Sequence, residues 1–174
     1  MKYKEQRVVV LVDIQNMYHS AKNLFGARVN FNEVLKTAVA GRRLIRAFAY
    51  VIKSESEETG KQGDDEKSFF RALERSGLEL KVKDLQIFHS GSKKADWDVG
   101  IAVDAIRFSS LAEAIVLVSG DGDFVPLVEY LKHQGRQVEV VAFDKTTSGK
   151  LKEVADEFLD LGSKPAKFLM KINN

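Results

Sequence analysis

Short apolar runs alternate with amphipathic stretches along this chain. Residues 7–12 and 114–118 are almost unbroken β-branched or apolar runs, which is typical of strands buried on both faces of a sheet. Residues 31–39 place apolar side chains at helical spacing, with Asn30 or Asn32 as the cap. Because strands and helices alternate throughout, we predict an α/β fold with a mostly parallel central sheet and helices on both faces.

The remaining elements follow from the same periodicities and from glycine stops. Further strands are predicted at residues 43–52, 78–88 (an exposed edge strand or hairpin), 137–143 and 157–161. Further helices are predicted at residues 15–24, 67–76, 97–108, 124–133 and 148–153. Residues 53–67 and 89–94 are polar and predict loops, the first of them mobile. We expect a single domain over residues 1–161 and a C-terminal tail over residues 162–174.

Composition narrows the class of protein. The chain has 174 residues, 44% of them hydrophobic and 30% charged, which is ordinary for a globular domain. With no cysteine, a disulfide framework, a thiol nucleophile and a cysteine-based metal site are all excluded, and a cytoplasmic location fits. No apolar run approaches the length of a membrane span, so we expect no membrane association. The net charge of +2 neither demands nor excludes a nucleic-acid partner.

Acidic residues stand where strands should end. Asp13 follows the first strand, with Asn16 one helical turn later, and the segment Ser119-Gly120-Asp121-Gly122-Asp123 follows the strand at residues 114–118. Carboxylates that converge there without Lys or Arg partners repel one another, and Mg²⁺ or Mn²⁺ would relieve that repulsion. The alternative for Asp13 and Asp123 is helix capping alone. The two glycines would let the turn approach a ligand closely.

A third acidic group begins the helix at residues 97–108. Asp96 is a natural N-cap, and Asp98 is better placed to reach a site at the strand ends. Asp104 lies in a largely apolar stretch, where a carboxylate is costly unless it is paired. It therefore either pairs with a base such as Arg107 or helps to orient the site.

Three motifs carry a resemblance to a known family. They are VDIQN at residues 12–16, KADWDV at 94–99 with AVD at 102–104, and SGDGDF at 119–124. Together they resemble the NYN domain of the LabA-like branch of the PIN-like nuclease superfamily, over residues 7–161. The resemblance implies a three-layer α/β/α, PIN-like (Rossmannoid) fold with a metal-dependent ribonuclease site. By position it implies acidic ligands at Asp13, Asp98, Asp121 and Asp123, a polar neighbour at Asn16, and accessory positions at Asp104 and Ser119, with Asp96 beside them.

We therefore expect hydrolysis of RNA by water that one or two Mg²⁺ or Mn²⁺ ions activate. The predicted cations that hold the RNA backbone are Lys93 and Lys94, with Lys53 and Lys145 at other strand ends. Because only loops carry these cations, single-stranded RNA is the expected target. Trp97 and Tyr18 either stack on bases or simply pack.

Two other functions stay open from the sequence. The same fold could serve as a non-catalytic regulator that binds RNA, a nucleotide or a protein, and a small-molecule phosphatase is a third possibility. A homodimer is a further expectation, through an exposed strand or through the tail residues Phe168, Leu169 and Met170.

Overall fold

The structure is a computed structural model that describes residues 2–54, 60–87, 89–91 and 93–172. Its strands are β1 (Arg7–Asp13), β2 (Ala27–Val29), β3 (Arg43–Lys53), β4 (Glu79–Asp84), β5 (Gln86–Ile87), β6 (Lys93–Lys94), β7 (Ala114–Val118), β8 (Gln137–Ala142), β9 (Glu157–Asp160) and β10 (Leu169–Lys171). Its α-helices are α1 (Ile14–Phe25), α2 (Phe31–Val39), α3 (Lys61–Arg75), α4 (Asp98–Ser109), α5 (Val125–His133), α6 (Gly149–Val154) and α7 (Pro165–Phe168). Short 3₁₀ turns occupy Gly122–Phe124, Asp144–Thr146 and Leu161–Ser163. Among the described residues, no helix combines the length and the apolar character needed to cross a bilayer.

A six-stranded sheet in the order β4-β3-β1-β7-β8-β9 forms the centre of the described structure. Every pairing within it is parallel, which confirms the predicted mostly parallel sheet. β1 lies between β3 and β7, and each of residues 8–12 is at most 1% exposed. Burial on both faces explains why this strand is an unbroken apolar run.

Helices cover both faces of the sheet and give three layers. Alternate residues of β1 point to opposite sides, so Val8, Val10 and Val12 belong to one core and Val9 and Leu11 to the other. The first core is closed by α1, α2 and α3, and the second by α4, α5 and α6. This is the predicted α/β/α architecture.

Two predicted loops are shorter than expected. Helix α3 begins at Lys61 rather than at residue 67. The predicted start was too late because the first turns of the helix are polar and carry no apolar periodicity. The loop predicted at residues 53–67 therefore reduces to the connection before Lys61, of which residues 55–59 lie outside the described part of the chain. Within the loop predicted at residues 89–94, Lys93–Lys94 pairs antiparallel with Gln86–Ile87.

The segment after residue 162 packs against the domain. Its strand β10 pairs antiparallel with β2, and Phe168 is 2% exposed within the first core. Neither strand was predicted from the sequence, because three-residue strands carry too little periodicity. Of the three tail residues expected to be available to a dimer, Phe168 is buried and Leu169 is half-buried in this pairing.

A buried ion pair lies near the amino ends of the strands, opposite the edge where the acidic residues converge. Both carboxylate oxygens of Glu139 accept hydrogen bonds from the Arg42 guanidinium, at 2.6 and 3.0 Å. Both side chains are almost fully buried. Arg42 also donates to the carbonyl oxygen of Ala38 at 2.6 Å, so the pair joins α2 to β8.

Candidate functional site

Asp13 is the last residue of β1 and the N-cap of α1. One of its oxygens accepts a hydrogen bond from the backbone N–H of Asn16 (3.1 Å), and the other accepts one from the Ser119 hydroxyl (3.1 Å). The side chain is buried, with 8% exposure. Burial raises the pKa of Asp13 above its ordinary value, and these two hydrogen bonds oppose that shift in part. Asp13 thus caps α1 and also binds the Ser119 hydroxyl, and its role as a metal ligand stays a prediction.

The turn after β7 is tied to Asp13 although it lies more than a hundred residues away in the sequence. β1 and β7 are neighbours in register, with Val12 opposite Val118, so the residues that follow them meet. The Ser119 hydroxyl donates to Asp13 and also accepts from the backbone N–H of Asp121 (3.3 Å). The backbone N–H of Gly120 donates to the side-chain oxygen of Asn16 at 3.0 Å. Ser119 and Asn16 therefore act as positioning residues for this turn.

Gly120 and Gly122 both lie close to the segment that follows β8. A Cβ added at Gly120 would lie 2.7 Å from the Thr147 hydroxyl and 3.1 Å from the Thr147 Cα. A Cβ at Gly122 would lie 3.0 Å from the Ser148 side chain. This turn therefore packs closely against the segment that follows β8, and its close approach to a ligand stays a prediction.

Capping in the acidic segments differs from the prediction. Asp121, and not Asp123, caps the 3₁₀ turn by accepting from the backbone N–H of Asp123 at 2.9 Å. The N-cap of α4 is Trp97 rather than Asp96, and no side chain caps that helix. Trp97 holds this position because its indole N–H donates to the Val51 carbonyl oxygen at 2.9 Å.

Three carboxylates converge at this edge of the sheet. Asp98, Asp121 and Asp123 each offer an oxygen, and these oxygens lie within 4.8 Å of one another. Asp13 lies beside this trio but is not one of its members. Within the described part of the chain, no Lys or Arg forms an ion pair with any of these four carboxylates.

The electrostatics of the trio fit a divalent cation. Partial burial, and then repulsion from Asp121 and Asp96, raises the pKa of Asp98 to about 6. Asp13 and Asp123 add to this repulsion. Hard carboxylate oxygens without a protein cation are the donor set that Mg²⁺ or Mn²⁺ prefers.

A cleft of about 380 Å³ opens beside the trio. One wall is the polar face of α1, where Gln15, His19 and Asn23 follow one another at intervals of four residues. This wall was not predicted from the sequence, although the four-residue spacing of polar side chains after Asp13 was a visible signal. The lining residues are Asp13, Gln15, Asn16, His19, Ser20, Asn23, Asp96, Trp97, Asp98, Asp121 and Thr146.

Asp104 lies apart from this cleft, in the middle of α4. It accepts hydrogen bonds from the Tyr50 hydroxyl (2.9 Å) and from Arg107 (3.1 Å), and Lys81 lies 3.5 Å away. Of the two roles that the sequence left open for Asp104, the structure shows the pairing with a base.

The cations predicted to hold RNA do not line the cleft in the part of the chain that is described. Lys53 ends β3, and Lys145 precedes the lining residue Thr146. The side chains of Lys93 and Lys94 lie outside the described residues. Trp97 lines the cleft, but its ring packs against that of Tyr50, with 5.3 Å between the ring centres. Tyr18 is exposed on α1 and does not line the cleft.

Comparison with known proteins decides the family. The model of the NYN domain matches residues 7–162, which is most of the chain. The chain belongs to the NYN domain family. This NYN domain is 27% identical to the "Low amplitude and bright protein LabA" of Synechococcus elongatus, over 92% of this chain and 87% of that one. It also superimposes with a TM-score of 0.84 on the crystal structure of VPA0982, a protein of unknown function from Vibrio parahaemolyticus. That match has 30% sequence identity and covers 98% of this chain and 99% of the other.

These similarities confirm the resemblance drawn from the three motifs. The NYN domain lies within the PIN-like nuclease superfamily, and LabA is a relative at low identity. The carboxylate cluster occurs in this NYN domain at the carboxyl edge of a parallel sheet, where open α/β sheets bind their ligands.

Proposed function

We propose that this NYN domain is a metal-dependent ribonuclease that hydrolyses phosphodiester bonds of single-stranded RNA. The observation that carries the proposal is the trio of Asp98, Asp121 and Asp123, whose oxygens lie within 4.8 Å of one another without a described Lys or Arg partner. Membership of the PIN-like nuclease superfamily supports the same conclusion. A cytoplasmic location remains part of this proposal.

Asp98, Asp121 and Asp123 would hold Mg²⁺ or Mn²⁺. The bound ion would neutralise charge on the phosphoryl oxygens and make water a stronger nucleophile. Without the ion, the three carboxylates would repel an RNA phosphate. The bound cation would therefore be needed for the phosphate to approach the trio. Asp13 stands behind it as a buried carboxylate that fixes both the start of α1 and Ser119.

The other residues of the cleft position the substrate. Asn16 and Ser119 hold the turn that carries Asp121 and Asp123, so these carboxylates are ordered before a ligand arrives. The α1 wall of Gln15, His19 and Asn23 offers hydrogen-bonding groups and no carboxylate. Such a wall suits the bases and ribose hydroxyls of a strand whose phosphate faces the trio.

The test is cleavage of a 5′-labelled single-stranded RNA in Mg²⁺ or Mn²⁺. Asp98→Asn and Asp121→Asn should each lower the cleavage rate at least a hundredfold, because each removes one charge from the trio while conserving side-chain shape. Glu153→Gln is the matched control, since it makes the same chemical change at an exposed position of α6. Asp13→Asn should also lose activity.

Three outcomes would contradict the proposal. Wild-type cleavage by Asp98→Asn would show that the trio is not the site. Binding of RNA without cleavage in any divalent ion would identify a non-catalytic regulator. Release of phosphate from small esters, with RNA left intact, would identify a phosphatase.

A further inference from the structure

The edge strand β4 places two lysines on the face of the sheet that α4 covers. Lys81 lies opposite Tyr50 in the register, and its ammonium lies 3.5 Å from Asp104 on α4. Lys83, two residues later, points to the same side because its ammonium stands over the Trp97 ring. Alternate residues of a strand are about 7 Å apart. This distance is similar to the spacing of successive phosphates in an extended single strand of nucleic acid.

Lys83 stands at the rim of the cleft. Its ammonium donates to the backbone oxygen of Asp96 at 2.7 Å and lies 4.4 Å from the centre of the Trp97 ring. Asp96 and Trp97 both line the cleft. Because β4 runs parallel to β3, Lys83 is also nearer than Lys81 to the carboxyl edge, where the three carboxylates lie.

Positive charge is in excess beside these lysines. Asp104 pairs with both Lys81 and Arg107, and it also accepts a hydrogen bond from Tyr50. Lys81 and Arg107 therefore share the Asp104 carboxylate, whereas Lys83 donates to a backbone oxygen and forms no ion pair among the described residues. We call Lys81, Lys83 and Arg107 the basic ridge. The side chain of Arg107 is 60% exposed and that of Lys81 is 36% exposed, so both can reach a ligand from solvent.

The size of the cleft makes such a surface necessary for a long substrate. A cleft of about 380 Å³ is near the lower limit for a small-ligand pocket, so an RNA strand must continue across its rim. The α1 wall presents neither Lys nor Arg to the cleft. The rim beside β4 presents Lys83, with Lys81 one step further along the same face.

We propose that the basic ridge binds the phosphates that follow the nucleotide held in the cleft, so that RNA leaves the site along β4. This inference rests on the proposed function for its choice of RNA, and it names the surface that gives the domain its affinity for longer strands. Strands of one or two nucleotides end before the ridge and gain nothing from it.

The test measures binding separately from cleavage. The affinity for a fluorescent 12-residue oligouridylate is measured by anisotropy in EDTA over a range of salt concentrations. Lys81→Gln/Lys83→Gln should weaken binding and lower the slope of log affinity against log salt by about 1.4, since each phosphate contact in a single strand contributes about 0.7. The affinity for a labelled dinucleotide should stay unchanged.

The matched control is Lys36→Gln/Lys167→Gln, which removes the same charge elsewhere. Lys36 pairs with a carboxylate as Lys81 does, and Lys167 lies over an aromatic ring as Lys83 does. Both belong to helices on the other side of the molecule, α2 and α7. This control should keep the wild-type slope. Lys81→Arg/Lys83→Arg should also restore it, which separates loss of charge from loss of folding.

Equal changes of slope in Lys81→Gln/Lys83→Gln and in Lys36→Gln/Lys167→Gln would overturn the proposal that the basic ridge binds RNA, because such changes would reflect net charge alone. An unchanged slope in Lys81→Gln/Lys83→Gln would overturn it as well. Equal competition by polyglutamate would do the same and would indicate an acidic peptide as the partner. These measurements are made in EDTA, so they report RNA binding and not cleavage. A protein that does not cut RNA can still bind it through the basic ridge, and a protein that cuts RNA can bind it without the ridge.

Discussion

In the metal-free protein, ionisation of the Asp98 carboxyl lowers the stability of the folded state. The Asp98 pKa of about 6 lies above the ordinary 3.8, so ionisation is harder in the folded protein than in the unfolded chain. A raised carboxyl pKa contributes stability that is fully present below about pH 4 and is lost as the pH rises through about 6.

Asp98→Asn should therefore stabilise the protein at pH 8 in EDTA. Its melting temperature should exceed that of the wild type there, and the difference should disappear below about pH 4, where Asp98 is protonated in both states. Thermal melts followed by circular dichroism at several pH values measure this. The same melting temperature for both proteins at pH 8 would show that neither partial burial nor repulsion from the neighbouring carboxylates raises the pKa of Asp98.

The sequence predicted which acidic residues meet better than it predicted what each one does. Asp13 and Asp121 each follow a predicted strand, so their place at the carboxyl edge of the sheet was visible in the pattern of apolar runs, and the pairing of β1 with β7 brings them together. The cap predicted at Asp96 lies at Trp97, and the capping role considered as an alternative for Asp123 is filled by Asp121. The positions of the caps depend on contacts such as the hydrogen bond from Trp97 to Val51, which joins residues 46 positions apart.

At the scale of the helix, α4 is positioned by the packing of Trp97 on Gly100. A Cβ at Gly100 would lie 2.8 Å from the Trp97 Cζ3 atom, and the indole is held in place by its hydrogen bond to Val51. Overpacking of this kind costs about 1–3 kcal/mol. Alanine is favoured over glycine within a helix by only about 1 kcal/mol.

Gly100→Ala should therefore lower the melting temperature and shift the emission of Trp97 to the red as its ring is displaced toward water. Trp97 is the only tryptophan of the chain, so the emission reports this position alone. Gly149→Ala is the control, because nothing lies within 4 Å of a Cβ there and the change should be neutral or stabilising. An unshifted spectrum in Gly100→Ala would show that the ring does not fix α4.

The element boundaries were predicted well where local periodicity sets them. Helix α2 and strand β7 have the bounds expected from the sequence, and Gly26 ends α1 in a left-handed conformation. The start of α3 and the pairing of β2 with β10 were missed. A polar first turn and three-residue strands carry no periodic signal, and the β2–β10 pair joins segments about 140 residues apart.

At the scale of the molecule, the two ends of the sheet serve different purposes. Carboxylates without described cation partners meet at one end, whereas the buried pair of Arg42 and Glu139 joins α2 to β8 near the other. Removing one partner of a buried ion pair leaves the other charge without compensation, which costs about 3–5 kcal/mol.

Glu139→Ala should thus lower the free energy of unfolding by about 3–5 kcal/mol. The double replacement Arg42→Met/Glu139→Met should recover most of that loss, because it leaves no buried charge. Urea denaturation measures both variants. A loss below about 1 kcal/mol in Glu139→Ala would mean that water reaches Arg42 and replaces its partner.

The alternation of strands and helices was sufficient to predict the layers but not the strand order. Nothing in the apolar runs themselves indicates that β1 lies between β3 and β7. That order decides which acidic segments become neighbours, and it follows from the whole set of packing contacts.

The central place of β1 also sets the order of events during synthesis. β3 leaves the ribosome soon after β1 and can cover one of its edges, but β7 follows about 100 residues later. Until then the second edge of this apolar strand has no hydrogen-bonding partner, which is the state in which nascent sheets aggregate. The same delay keeps Asp13 away from Asp121 and Asp123, so the nascent chain gathers its repelling carboxylates only after most of its core can form. A chaperone would thus be needed most between the completion of β3 and the arrival of β7.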